Sequence, residues 1–152
     1  MKANKTALSR QQGITLMELM IVVAIIAMIS AFAYPSYTQY IVKTKRTAAT
    51  STLLQISDRQ QQFFMDNKRY SNSLTDLGLG ANPLWVADDG RSVPAGDSDA
   101  VYIFAIVGVA ATRYMAIAVP LAQQMTRDAE CGTLSLDQAG NRQAYGGSDD
   151  CW

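Results

Sequence analysis

Apolar positions along the chain fall into two regimes. Over residues 14–33, ITLMELMIVVAIIAMISAFA, they run almost without a break. That stretch of about 20 residues would span ~30 Å as a helix, the hydrocarbon thickness of a bilayer. From Tyr40 onward they are spaced. Ala49, Leu53, Ile56 and Phe63 fall on one helical face, which predicts a helix continuing to about Asp66, a rod of ~80 Å in all. Lys43, Lys45, Arg46, Asp58 and Arg59 would line its other faces. Pro35 lies inside this pattern, removes a backbone hydrogen bond and should bend the helix there. The alternative is a helix that ends at Tyr34.

The remaining pattern predicts loops and strands. Residues 67–80, NKRYSNSLTDLGLG, read as a loop rich in turn formers, pinned to a core by Tyr70, Leu74 and Leu77. Residues 81–100 are irregular, with a strand starting at Trp85-Val86. The clearest strand is 101–109, VYIFAIVGV. A turn at 110–113 leads to a second strand, 114–119, ended by Pro120. Residues 131–136 alternate and read as a third strand, 137–141 as a turn containing Gly140, and 142–144 as a short fourth strand. The fold class is therefore α+β: a long N-terminal helix with its second half packed against a small antiparallel sheet.

Glu18 is the one charge in the apolar stretch. A carboxylate near the end of an otherwise apolar helix is costly and marks a functional position, so its role lies in what it meets. Ahead of it, residues 1–13 carry Lys2, Lys5 and Arg10 and no acid, which sets the N-terminus on the cytoplasmic side. A secretory signal has its cleavage site after the apolar region; here the plausible cut precedes it. The chain of 152 residues is formally neutral, and without the three leader cations ten basic groups face thirteen acidic ones, a balance of −3. That balance gives no general reason to expect nucleic-acid or anionic-membrane binding.

The two cysteines, Cys131 and Cys151, sit in a polar, glycine-rich tail of an exported chain. A bridge between them would close a loop of about 20 residues and stabilise the fold by about 3 kcal/mol in the chain-entropy model. The alternative is two buried thiols, for which the tail offers little core. There is no histidine, which removes Ser-His-Asp and Cys-His catalysis and the commonest zinc ligand. No phosphate loop, nucleophile elbow or HExxH is present, so no catalytic, cofactor or metal residue is assigned and the chain is read as a non-enzyme. Asp88, Asp89, Asp97 and Asp99 lack EF-hand spacing and read as solvated turns rather than a calcium site.

Gly13-Ile14-Thr15-Leu16-Met17-Glu18 resembles the processing site of type IV pilins: a Gly, a hydrophobic first mature residue and a Glu fifth in the mature chain. The short leader resembles the type IVa subgroup. The ending CGTLSLDQAGNRQA…CW resembles the PilE-like minor pilin group and its disulfide-bounded loop, here 131–151. The resemblance implies the type IV pilin fold, with cleavage between Gly13 and Ile14 by a prepilin peptidase and N-methylation of Ile14. Ile14 stands where Phe is usual. It also implies that Glu18 of one subunit meets the Ile14 amine of a neighbour, a pair that sets register where each charge alone would be intolerable. Any melting of the helix during assembly should centre on Pro35, since no other Pro or Gly interrupts it.

The expected organisation is a cleaved leader at 1–13, a membrane and polymerisation helix at 14–39, and a head at 40–152. The implied function is a structural subunit of a type IV pilus, most like a minor pilin, serving adhesion, twitching motility or DNA uptake. Its partners would be other pilin subunits, the prepilin peptidase and the inner-membrane assembly machinery. It would be a single-pass inner-membrane protein with a periplasmic head before assembly and part of an extracellular fibre after it. Two other readings stand beside this one: a pseudopilin of type II secretion, and a pilin-like receptor for DNA or a surface at the fibre tip. For Lys43, Lys45 and Arg46, solvation or cover by a neighbouring subunit is favoured over phosphate binding.

Overall fold

A computed structural model describes residues 13–148 and 150–152; the leader expected at 1–13 lies, apart from Gly13, outside the described residues. The chain divides into two units, Met1–Thr38 and Gln39–Trp152. Helix α1, Leu16–Asn67, runs through both as one assigned element, with Pro35 inside it, so the helix does not end at Tyr34. In the first unit the apolar span is long enough to cross a membrane, and none of it is buried.

In the second unit α1 meets a six-stranded antiparallel sheet. Its strands are β1 (Leu84–Ala87), β2 (Ser92–Val93), β3 (Ala100–Ala110), β4 (Arg113–Pro120), β5 (Leu134–Asp137) and β6 (Arg142–Ala144), in the order β2-β1-β3-β4-β5-β6. The expected α+β class holds, with one more strand, β2, than the pattern indicated. β2 has only two residues, too short to show an alternation. A six-residue helix, α2 (Ala122–Arg127), also lies in a stretch the pattern had left unassigned.

The core follows from the two periodicities. Ala49, Leu53 and Ile56 of α1 join Leu84, Val86, Tyr102, Phe104, Tyr114, Ala116, Ala118, Leu134 and Leu136 from alternate strand positions. Phe63 is only partly buried at its margin. Small residues at 116 and 118 sit in the same cluster as the bulkier Leu53 and Ile56, which shares out the volume of a close-packed interior.

The α1 exit is fixed locally. Lys68 takes a left-handed conformation (φ 56°), and its N–H donates to the Phe64 carbonyl at 2.9 Å, which ends the helix. Gln60, fully buried, then ties the loop back: its amide nitrogen donates to the Ser71 carbonyl at 2.7 Å and its amide oxygen accepts from the Ser71 N–H at 2.9 Å. Tyr70 packs between Phe64 and Tyr114, both at 4.7 Å. Leu74 and Leu77 are buried as expected.

Candidate processing and assembly site

Gly13, Ile14 and Thr15 precede the first turn of α1 and are exposed, Ile14 at 75%. The helix starts at Leu16 because Thr15 caps it: the Glu18 N–H donates to Thr15 Oγ1 at 3.2 Å, satisfying one of the orphan donors of the first turn. Thr15 three residues before Glu18 is the T-x-x-E spacing of a capping box, a sequence signal for this boundary. The peptide bond between Gly13 and Ile14 therefore lies outside helical hydrogen bonding.

Gly13 has open space where a Cβ would be and no left-handed φ. Among the described residues nothing in the fold demands glycine there. Glu18 is exposed in the first turn of α1, where a carboxylate complements the helix dipole. Around it Leu16, Met17, Leu19 and Met20 are each more than half exposed. Beyond Pro35, Ser36 Oγ donates to the Phe32 carbonyl and Thr38 Oγ1 to the Pro35 carbonyl. These are supplementary bonds at the turn where proline removes one.

In the head, Cys131 and Cys151 are joined, closing the loop 131–151. Two glycines let this loop fold on itself. A Cβ at Gly146 would stand 2.4 Å from the Ala129 and Glu130 backbone, and one at Gly132 would stand 3.1 Å from the Gly146 nitrogen.

Both ends of the loop are tied to α1 through Arg46. Its Nε donates to Asp128 at 3.1 Å, its terminal nitrogens to the other Asp128 oxygen and to the Asp150 carbonyl. The Asp128 side chain is 1% exposed and also accepts from Tyr102 Oη and Gln124 Nε2. Gln124 reaches the Val42 carbonyl as well. The bond to Asp128 holds the Arg46 pKa above its ordinary value, against the opposing effect of burial. Burial pushes the Tyr102 phenol well up and the Tyr114 phenol up. At the β5–β6 turn, the Asn141 side-chain amide donates to Asp137 and lowers its pKa.

This network corrects the reading of one member of the basic cluster, Arg46, while Lys43 is exposed. Arg46 points into the head rather than toward solvent or a neighbour, and Lys45 lies 3.7 Å from Asp88. Nothing local in the sequence announces the pairing, because Arg46 and Asp128 are 82 residues apart. Among the described residues no group of three or more histidines, cysteines or carboxylates is placed to hold a metal.

Residues 35–135 match the family model described as type IV minor pilin ComP, DNA uptake sequence receptor, and residues 8–34 match the prokaryotic N-terminal methylation motif. Among curated relatives, the type IV major pilin protein PilA of Myxococcus xanthus is 38% identical over 70 residues, 46% of this chain and 32% of that protein. A fimbrial protein of Pseudomonas aeruginosa is 37% identical over 80 residues, 49% of this chain and 52% of its own length. The type IV major fimbrial protein FimA of Dichelobacter nodosus is 54% identical over 43 residues, 28% of this chain and 27% of that protein. The chain thus spans about half or less of the curated relatives it matches.

Proposed function

This chain belongs to the type IV minor pilin family, and from that premise we propose that it is a structural, non-catalytic subunit of a type IV pilus. The observation that carries the proposal is the start of α1. An exposed, non-helical Gly13–Ile14 bond stands directly before an unburied apolar helix whose first turn holds a single carboxylate, Glu18. A peptidase needs an extended, accessible backbone, and a glycine that the fold does not require suits its close approach. Cleavage there creates an amine at Ile14, which is then methylated. In a bundle of parallel helices the Glu18 carboxylate meets that amine on a neighbouring subunit, so that each charge is paired out of water and the register is set.

Before assembly the helix rests in the inner membrane as a single span with the head in the periplasm. Transfer to the fibre exchanges lipid for neighbouring helices, so the apolar surface need not cross water. The backbone carbonyl freed by Pro35 makes that turn the place where α1 bends or melts during assembly. The partners are other pilin subunits, the peptidase and the assembly machinery.

Mass analysis of the chain recovered from cells tests this directly. The expected product begins at a methylated Ile14, and Glu18→Ala should abolish incorporation into sheared fibres. A chain that keeps residues 1–13, or normal incorporation of the Glu18 variant, would defeat the reading.

The family description favours a second reading, in which this subunit is a receptor for DNA during uptake. With Arg46 engaged inside the head and Lys45 beside the exposed Asp88, phosphate contacts would fall to exposed cations such as Lys68 and Arg69 at the α1 exit. Gel shifts of the full chain in detergent across a salt series decide it. Binding that weakens with salt and with Lys68→Ala/Arg69→Ala is expected; no shift at low salt removes it.

A further inference from the structure

No charged residue lies between Glu18 and Lys43, yet the apolar run ends well before Lys43, at Ala33. Residues 34–40 read YPSYTQY, with no charge and no Val, Leu, Ile or Met. Three of the chain's seven tyrosines are concentrated in this stretch. Tyr34 is 72% exposed, Tyr37 65% and Tyr40 67%, whereas Tyr102 and Tyr114 are buried in the core of the head.

Local hydrogen bonds sort the polar groups of the stretch. Ser36 and Thr38 turn their hydroxyls back onto the Phe32 and Pro35 carbonyls. The tyrosine rings are then what this part of α1 presents outward. Each has an apolar body and a polar tip, which suits a boundary with apolar matter on one side and water on the other. At a membrane such rings collect at the level of the headgroups. A dry bundle of helices suits them poorly, because close helix packing uses small residues and each enclosed phenol O–H would need an acceptor.

With α1 spanning the inner membrane as the premise, we propose that Tyr34, Tyr37 and Tyr40 bind the phospholipid headgroup layer on the head's side of the bilayer and fix the depth of the helix. Within the first unit, Glu18 precedes Tyr34 by 16 residues and Tyr37 by 19. That is about 24–29 Å of helix, close to the ~30 Å of a hydrocarbon core. Rings held at one boundary therefore put Glu18 at the other, where its carboxylate keeps its water until assembly. The apolar run has no depth marker of its own, and sliding or tilting to absorb a mismatch in thickness costs little. The rings supply the marker.

The test uses the full chain in vesicles of phosphatidylethanolamine and phosphatidylglycerol with acyl chains of increasing length. A fluorophore on Ala33→Cys, with the Cys131–Cys151 bond intact, is quenched by lipids carrying a nitroxide near the headgroup or near the chain end. With the tyrosines present, the ratio of shallow to deep quenching should stay constant as the bilayer thickens, because the mismatch falls on the Glu18 end. In Tyr34→Ser/Tyr37→Ser/Tyr40→Ser the ratio should change roughly twofold or more over the same series. Tryptophan at the three positions should restore a constant ratio. All three sites are exposed, so unfolding of the head should be unchanged. A ratio that follows thickness equally with and without the tyrosines overturns the anchor. A second probe on Ile25→Cys keeps the premise separate. Quenching there by the chain-end nitroxide upholds the span even if the anchor falls; no quenching there defeats the span and the anchor together.

Discussion

Arg46→Met isolates the interaction that ties α1 to the disulfide loop. The substitution keeps much of the aliphatic stem and deletes the guanidinium. Three donated bonds disappear, two to Asp128 and one to the Asp150 carbonyl. The stranded Asp128 side chain is 1% exposed, so water cannot replace what it loses. Removing one partner of a buried ion pair costs about 3–5 kcal/mol, chiefly because a charge is left without compensation. Tyr102 Oη and Gln124 Nε2 still donate to this carboxylate, which places the expected loss near the lower end, at about 3 kcal/mol. The reverse deletion should be milder. Asp128→Asn leaves a guanidinium that is 15% exposed and can draw on solvent, so the loss should be about 1.5–3 kcal/mol, that of a charge-assisted bond. Arg46→Met/Asp128→Leu removes both charges and should recover much of the stability lost by Arg46→Met alone. Denaturant unfolding of the full chain in detergent, followed by the two tryptophans, measures all three. If Arg46→Met costs less than about 1 kcal/mol, the pair behaves as a surface ion pair and the buried-clamp argument is refuted.

The loop itself offers further checks. Cys131→Ser/Cys151→Ser opens a link of sequence separation 20 and should destabilise the head by about 3 kcal/mol, read from the shift in denaturant midpoint. Gly146→Ala would drive a methyl into the Ala129 and Glu130 backbone, so a loss of at least 1–3 kcal/mol, of the order found for overpacking, is expected; Gly147→Ala, which meets nothing within 4 Å but has φ +95°, tests backbone strain separately in the same assay. Tyr102 and Tyr114 should ionise above the ordinary tyrosine value of about 10 in an absorbance titration. Their contribution is fully present below the unfolded tyrosine value of about 10 and is lost as pH rises through the folded values, because the unfolded chain gives up its proton first. Unfolding that is insensitive to pH above 10 would contradict this. Asp137 acts in the opposite sense: its lowered pKa means that its support of the β5–β6 turn is present above the ordinary carboxylate range and fades as pH falls through the folded value, measurable by amide exchange at Asn141.

Local pattern made much of the molecule legible. The apolar run before Ala33, the four-three spacing through Ala49, Leu53 and Ile56, and the β-branched run at 101–109 each commit the backbone through contacts within a few residues. Helix, principal strands and the turn at 137–141 were therefore readable. Other features depend on partners far along the chain. Gln60 looks like one polar position in a run of glutamines, yet Ser71 makes it a buried strut. The partner of Arg46 lies 82 residues away, and no spacing rule reaches that far.

The chain by itself thus determined that there would be an apolar helix with one acid in its first turn, and a small sheet with two cysteines after it, because periodicity and charge act over a turn or a strand. Which cations serve the core and why Gly146 tolerates no side chain were decided by tertiary packing. Those outcomes depend on which surfaces exclude water together, and that is set only when distant segments meet.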